Sequence, residues 1–214
     1  MNAAELLAGQ RIVPVVVIDS AEDAVPLAQT LIGNGLDTIE VTLRTEAGLD
    51  AIERIASEVP GMLVGAGSVR RAAQVAAVRS AGASFAVSPG CSAALLEAVA
   101  DAGMPFVPGA MTASEMLGLL DLGYTLQKFF PAELSGGAGF LKAIGAPIPE
   151  VNFMPTGGIG PGNAKDYLSL PNVACVGGSW IAPPGLLRDK DFAAIAELAA
   201  AAARLTATCE SGNR

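Results

Sequence analysis

The chain has no histidine among its 214 residues. That absence removes the commonest general base and the commonest metal ligand. Serine–histidine triads and metal sites built on imidazole are disfavoured, and proton transfer is left to carboxylates, lysine, tyrosine and water. Cysteine is scarce: Cys91, Cys175 and Cys209 are odd in number and show neither CxxC nor zinc spacing. They read as structural thiols of a reduced, cytoplasmic protein. Only 16% of residues are charged and 51% are hydrophobic, which excludes a disordered chain. No apolar run reaches the roughly 18 residues of a membrane span. Residues Met1 to Gln10 lack a basic n-region and a small-residue cleavage site, so they read as a short amphipathic helix and not a signal peptide. Positive charge is also in short supply. A net charge of −8 and a pI near 4.5 argue against nucleic acid and anionic membranes as partners. An anionic small molecule must then be held by a local site, against the field of the whole chain.

What is abundant is a repeating pattern. Short apolar or β-branched runs predict strands near Ile12–Ile18, Thr38–Leu43, Leu63–Ser68, Phe85–Ser88, Phe106–Pro108, Leu126–Phe130, Asn152–Thr156 and Val173–Gly177. Between most of them lie Ala/Leu/Glu-rich segments of helical period: Ala21–Ile32, Glu46–Glu58, Arg71–Ser80, Ala93–Asp101 and Ser114–Leu122, with a last helix over Asp191–Leu205 and a frayed tail beyond it. Ser20, Ser92 and Thr112 are placed as N-caps, Thr112 with Glu115 as a capping box. Gly35, Gly82, Gly103 and Gly123 are placed at helix ends. Strand–helix alternation implies parallel pairing with right-handed crossovers. Eight such units imply a (β/α)8 TIM barrel occupying residues 1–214 as a single domain, with a doubly wound open sheet as the alternative.

In such an architecture sites lie at the C-terminal ends of the strands. Of four lysines, Lys142, Lys165 and Lys190 sit in polar contexts that suit solvated surface charge. Lys128 sits inside Leu126-Gln127-Lys128-Phe129-Phe130-Pro131, where a lysine is costly unless paired or used. Burial disfavours the ammonium form, and the neutral amine is what addition to a carbonyl needs; a lysine snorkelling to the strand edge is the alternative. On the second strand, Glu40, Thr42 and Arg44 share one face while Ile39, Val41 and Leu43 share the other. A glutamate can move protons and an arginine can fork a carboxylate or phosphate; a structural Glu–Arg pair is the plainer alternative. Thr156-Gly157-Gly158 and Gly177-Gly178-Ser179 end the last two strands, where barrels frequently hold phosphate on backbone N–H groups, although both could be ordinary turns. Gly65-Ala66-Gly67-Ser68 and Ser88-Pro89-Gly90 read as turns that narrow the mouth, with Ser68 a possible hydrogen-bond donor. Trp180 reads as packing.

With these segments in order, the sequence resembles the 2-keto-3-deoxy-6-phosphogluconate (KDPG) and 4-hydroxy-2-oxoglutarate (KHG) aldolase family. The stretches that carry the resemblance are Ile12-Val13-Pro14-Val15-Val16, Ile39-Glu40-Val41-Thr42-Leu43-Arg44, Gly65-Ala66-Gly67-Ser68-Val69, Ser88-Pro89-Gly90, Lys128-Phe129-Phe130-Pro131-Ala132-Glu133, Pro155-Thr156-Gly157-Gly158-Ile159 and Gly177-Gly178-Ser179-Trp180. The resemblance implies a class I aldolase that uses no metal and no cofactor beyond a covalent imine. Its substrate is a phosphorylated keto acid, cleaved to pyruvate and D-glyceraldehyde 3-phosphate in the last step specific to the Entner–Doudoroff route. It implies Lys128 as the Schiff-base lysine and Glu40 as the acid/base. Arg44 binds the keto-acid carboxylate, with Ser68, Pro89 and Phe130 around the pyruvate end. Thr156, Gly157, Gly158, Gly178 and Ser179 hold phosphate, and the assembly is a homotrimer. Ser68 departs from the threonine usual in the family; it keeps the hydroxyl and loses a methyl. The sister enzyme acting on the galactonate epimer, and a non-aldolase phosphosugar-binding barrel such as an isomerase or binding protein, are the competing readings.

Overall fold

The structure, a computed structural model, describes residues 2–210, with side chains as far as Leu205. Nine strands are present among them: β1 (Ile12–Val16), β2 (Thr38–Thr42), β3 (Leu63–Gly67), β4 (Phe85–Val87), β5 (Phe106–Val107), β6 (Gly109–Ala110), β7 (Leu126–Phe129), β8 (Asn152–Pro155) and β9 (Val176–Gly178). The helices are α1 (Ala3–Leu6), α2 (Ala24–Gly33), α3 (Gly48–Glu58), α4 (Ala72–Ser80), α5 (Ala93–Ala102), α6 (Ala113–Asp121), α7 (Gly137–Ile144), α8 (Ala164–Leu168), α9 (Pro184–Arg188) and α10 (Phe192–Glu210).

All pairings are parallel. One curled sheet runs β5-β4-β3-β2-β1-β9 and a second runs β6-β7-β8. Most strands are buried throughout, as near-continuous apolar runs covered on both faces should be. The expected fifth strand, Phe106–Pro108, stops before Pro108, which has no N–H for a ladder, and a further short strand follows it. Phe106–Val107 pairs with β4, Gly109–Ala110 pairs with β7, and the Pro108 carbonyl accepts from the Lys128 N–H at 2.8 Å. Isolated bridges Phe153↔Val173 and Thr156↔Gly177 link β8 to the segment carrying β9, which begins three residues later than expected.

Local signals account for several boundaries. Asn2 and Glu5 form a capping box on α1, and Thr112 and Glu115 form another on α6. Ser92 caps α5 through the Leu95 N–H, whereas Ser20 makes no capping bond and the chain enters α2 through a 3₁₀ turn at Ala21–Asp23. Gly35, Gly82, Gly103 and Gly123 all adopt positive φ at helix ends. Helices α7, α8 and α9 have no counterpart in the sequence pattern. Two of them span five residues, too few for a 3.6-residue period to emerge, and α7 opens on glycine. The last helix runs through Glu210, so residues 206–210 are helical and not the frayed tail expected; the rest of that expected tail, 211–214, lies outside the described residues.

Two apolar clusters follow from strand alternation. The larger, which includes Ile39, Val41, Phe129 and Phe153, packs the sheets against the helices. The smaller joins Val13, Phe85, Val87, Val107, Leu126 and Met154 on the concave side, and Ala3 and Leu7 from the α1 segment close it from below. None of the helices is long and apolar enough to cross a membrane among the described residues.

Candidate active site

The orientation of Lys128 is set by its neighbours on β7. Phe129 turns outward and stacks on Phe140 of α7, ring centroids 5.0 Å apart. Gln127 also turns outward, its side-chain amide donating to the carbonyls of Met116 and Tyr124 at 3.0 Å. Period-2 alternation then sends Leu126 and Lys128 to the concave side. Lys128 is 4% exposed, and its Nζ lies 3.1 Å from Oε1 and 3.4 Å from Oε2 of Glu40, which is 0% exposed. The snorkelling alternative is therefore ruled out. Desolvation offsets most of what such a pair could contribute to stability, so its burial fits chemistry better than architecture. The Phe130 ring lies beside the amine, centroid 5.8 Å from Nζ.

Glu40 can reach this position because β3 is bare beside it. A Cβ on Gly67 would fall on the Glu40 carboxyl, and one on Gly65 would fall on the Phe85 ring. These glycines stand inside β3 and are not the turn expected from sequence. They leave room for inward side chains from β2 and β4.

Above the pair opens a cavity of about 570 Å³. Its wall brings together Arg44, Ser68, Pro89, Phe130, Thr156, Gly157 and Ser179, with Lys128 at its floor. Arg44 donates from Nε to Ser68 Oγ at 3.2 Å. Ser68 adopts φ 58°, a left-handed conformation that costs a non-glycine residue about 1 kcal/mol. The Thr156 hydroxyl is buried and has no hydrogen-bond partner within the protein. Three expected members are not on the wall: Glu40, which is buried against Lys128, and Gly158 and Gly178. Gly158 packs against the Glu133 side chain and Gly178 against the Trp180 ring, in each case so closely that a Cβ could not be added. Trp180 itself is packed on the larger core.

Three wall residues were not singled out from sequence: Val15, Val17 and Arg70. The valines continue the inward alternation of β1, so parity could have found them; Arg70 lies beyond β3, after Ser68 at φ 58° has broken the alternation, and no strand pattern pointed to it. Neither Arg44 nor Arg70 has an ion-pair partner among the described residues, so two guanidinium groups face the cavity in a chain that is otherwise acidic. Cys91, whose Sγ approaches the Gly109 carbonyl at 3.4 Å, has its thiol pushed up by burial, and burial pushes the Cys175 thiol up to about 12. Both changes reduce the thiolate that reactivity needs. No group of three or more His, Cys, Asp or Glu side chains suited to a metal ion occurs among the described residues.

A buried amine hydrogen-bonded to a carboxylate, beneath a cavity lined by unpaired arginines, is an arrangement for covalent chemistry on an anionic carbonyl compound. The family model described as KDPG and KHG aldolase matches residues 4–198. The chain belongs to the KDPG and KHG aldolase family. It is 53% identical over 188 residues to a 2-dehydro-3-deoxy-phosphogluconate aldolase of Pseudoalteromonas atlantica, covering 88% of this chain and 87% of that one. It is 46% identical over 198 residues to the KHG/KDPG aldolase of Escherichia coli, covering 92% and 93%. In structure it matches KDPG aldolase from Legionella pneumophila, with pyruvate captured as a covalent carbinolamine intermediate, at a TM-score of 0.91 and 43% identity, covering 94% of this chain and 98% of that one. Like its family, the chain is an aldolase, a carbon–carbon lyase of the Schiff-base class.

The bare β3 strand makes a first prediction. Gly67→Ala displaces the Glu40 carboxyl from Lys128 and lowers turnover about 100-fold, the scale of a displacement near 1 Å at a reacting group. It also lowers stability by about 1–3 kcal/mol through overpacking. Steady-state rates and thermal melting measure the two effects, and a wild-type rate would remove Gly67 from the site's construction.

Proposed function

We propose that the chain cleaves KDPG to pyruvate and D-glyceraldehyde 3-phosphate, and 4-hydroxy-2-oxoglutarate to pyruvate and glyoxylate, through an imine on Lys128. The observation that carries this reading is the buried Lys128–Glu40 contact at the floor of a cavity whose wall holds Arg44 and the Thr156-Gly157 turn. Neutral Lys128 adds to the C2 ketone, and loss of water gives a protonated imine. Glu40, within reach of the amine, accepts the C4 hydroxyl proton through a water molecule. The C3–C4 bond breaks, its electron pair flows into the imine, and the aldehyde leaves. The neutral enamine that remains is protonated at C3, and hydrolysis frees pyruvate and the amine. Splitting one step through a carbanion into several through an enamine is the gain of covalent catalysis.

Arg44, held by Ser68, binds the keto-acid carboxylate, with Pro89 and Phe130 as walls. Thr156, Gly157, Gly158, Gly178 and Ser179 receive the phosphoryl group, the glycines through backbone N–H groups. Binding at both ends fixes the bond to be broken and lets remote contacts lower the barrier at carbon.

In this reading the two sheets are one closed (β/α)8 barrel forming a single domain over residues 1–214. The bridges from β8 towards β9, the β1–β9 pairing, and the continuity of β5 and β6 across Pro108 support it. A homotrimer follows from the family resemblance, and a cytoplasmic location from the sparse cysteines.

The test is to incubate the protein with pyruvate and borohydride and map the product by peptide mass spectrometry. A reduced pyruvyl adduct on Lys128 is expected. No adduct in a folded sample overturns the reading, and an adduct on Lys142, Lys165 or Lys190 keeps the reaction class and moves the site. Side-by-side assay of the gluconate and galactonate epimers fixes the C4 preference.

A further inference from the structure

Glu133 and Tyr167 take no part in the chemistry above, yet they meet directly behind it. Tyr167 on α8 is 1% exposed, and its hydroxyl donates to the Glu133 carboxyl. Glu133 belongs to the turn that leaves β7, five residues after Lys128. From that turn the Ala132 N–H donates to the Thr156 carbonyl at 2.8 Å, and the Glu133 N–H donates to the Gly157 carbonyl at 3.1 Å. Thr156 and Gly157 line the cavity, whereas Ala132 and Glu133 do not. The two carbonyls are therefore tied to residues off the cavity wall, and the wall is spared the negative ends of both dipoles.

The Glu133 side chain does more than follow its backbone. A Cβ on Gly158, at φ 78°, would lie 2.6 Å from Glu133 Cγ, so the glutamate stem fills the space against the turn. On the α7 side, a Cβ on Gly137 would lie 3.4 Å from both Glu133 Oε1 and the Tyr167 hydroxyl. The stem is thus confined between α7, α8 and the turn. The Glu133 stem packs against Gly158 of that turn, and a free carboxylate swinging towards the cavity would repel an anion. The tyrosine hydroxyl holds it on the far side. Burial and the Glu133 carboxylate together push the Tyr167 phenol up, so the hydroxyl keeps the proton it donates.

We propose that Glu133 and Tyr167 are a positioning pair that keeps the Thr156-Gly157-Gly158 turn in its anion-receiving shape, and so sets affinity for the phosphoryl end of the substrate and not the chemistry at Lys128. The proposal rests on the functional reading above. Tyr167→Phe removes the hydroxyl and keeps the ring. Its KM for KDPG rises about tenfold, the effect of losing one buried hydrogen bond to a charged acceptor. Its kcat on KDPG, its KM for unphosphorylated 4-hydroxy-2-oxoglutarate and its rate of pyruvate trapping on Lys128 stay unchanged. Glu133→Gln keeps the stem and loses the charge, and gives a smaller rise confined to KDPG. Should Tyr167→Phe fail to fold, that KDPG-specific rise still supports the proposal and its absence overturns it. Equal losses on both substrates, or an unchanged KM for KDPG with only a lower melting temperature, would reduce the pair to a structural role and overturn it. Failure of the wild-type protein to trap pyruvate refutes the functional reading instead, and is distinguishable because it appears before any substitution is made.

Discussion

Lys128→Ala abolishes turnover, lowering kcat by at least about 10⁴-fold, the scale on which loss of a covalent nucleophile acts. Among the described residues Lys128 is the one lysine lining the cavity; Lys142, Lys165 and Lys190 lie outside it. Trapping of pyruvate by borohydride disappears with the amine. Stability changes as well, because the substitution strands the Glu40 carboxyl where it is 0% exposed. Breaking a buried pair from one side costs about 3–5 kcal/mol. Denaturant titration at neutral pH is expected to show that loss with the native fold retained in circular dichroism. Substantial residual turnover in a folded variant would overturn the imine mechanism.

Glu40→Gln separates proton transfer from imine formation. The amide keeps the size of the carboxyl and can still accept a hydrogen bond from Lys128 Nζ, so the floor of the cavity keeps its shape. It cannot act as a base. Turnover falls by about 10²–10³-fold, within the range that one general acid/base group supplies, while pyruvate trapping on Lys128 persists at a reduced rate. Single-turnover kinetics beside the trapping rate distinguish the two steps. A Glu40→Gln enzyme at wild-type rate would assign the proton to another group. Loss of trapping in equal measure would mean that Glu40 serves mainly to prepare the amine.

The strand–helix alternation was legible because each strand is covered on both faces and so reads as a short apolar run. Lys128 stood out for the same reason: an ammonium inside such a run contradicts its surroundings, and alternation placed Glu40, Thr42 and Arg44 on one face. The absence of histidine narrowed the proton carriers before any geometry was known. The relation between these residues was not legible. Glu40 and Lys128 are separated by 88 positions and lie on different sheets, and only the tertiary packing puts Nζ 3.1 Å from the carboxyl.

Misreadings came where local pattern and packing diverge. Gly65 and Gly67 look like turn glycines in sequence, because glycine is permissive everywhere; inside β3 they are absences of side chain that make room for Phe85 and Glu40. Pro108 sits in an apolar run, but its missing N–H splits that run between two sheets.

Composition and periodicity by themselves determined the class of fold, the strand that holds the amine and the face on which the carboxylate and arginine lie, since burial and alternation act over a few residues and leave their mark in the order of side chains. Tertiary structure alone decided which of those side chains touch, which glycines are there for space, and that Tyr167 meets Glu133 beside Gly158. Those facts depend on distances between segments far apart in the chain, which local propensity does not encode.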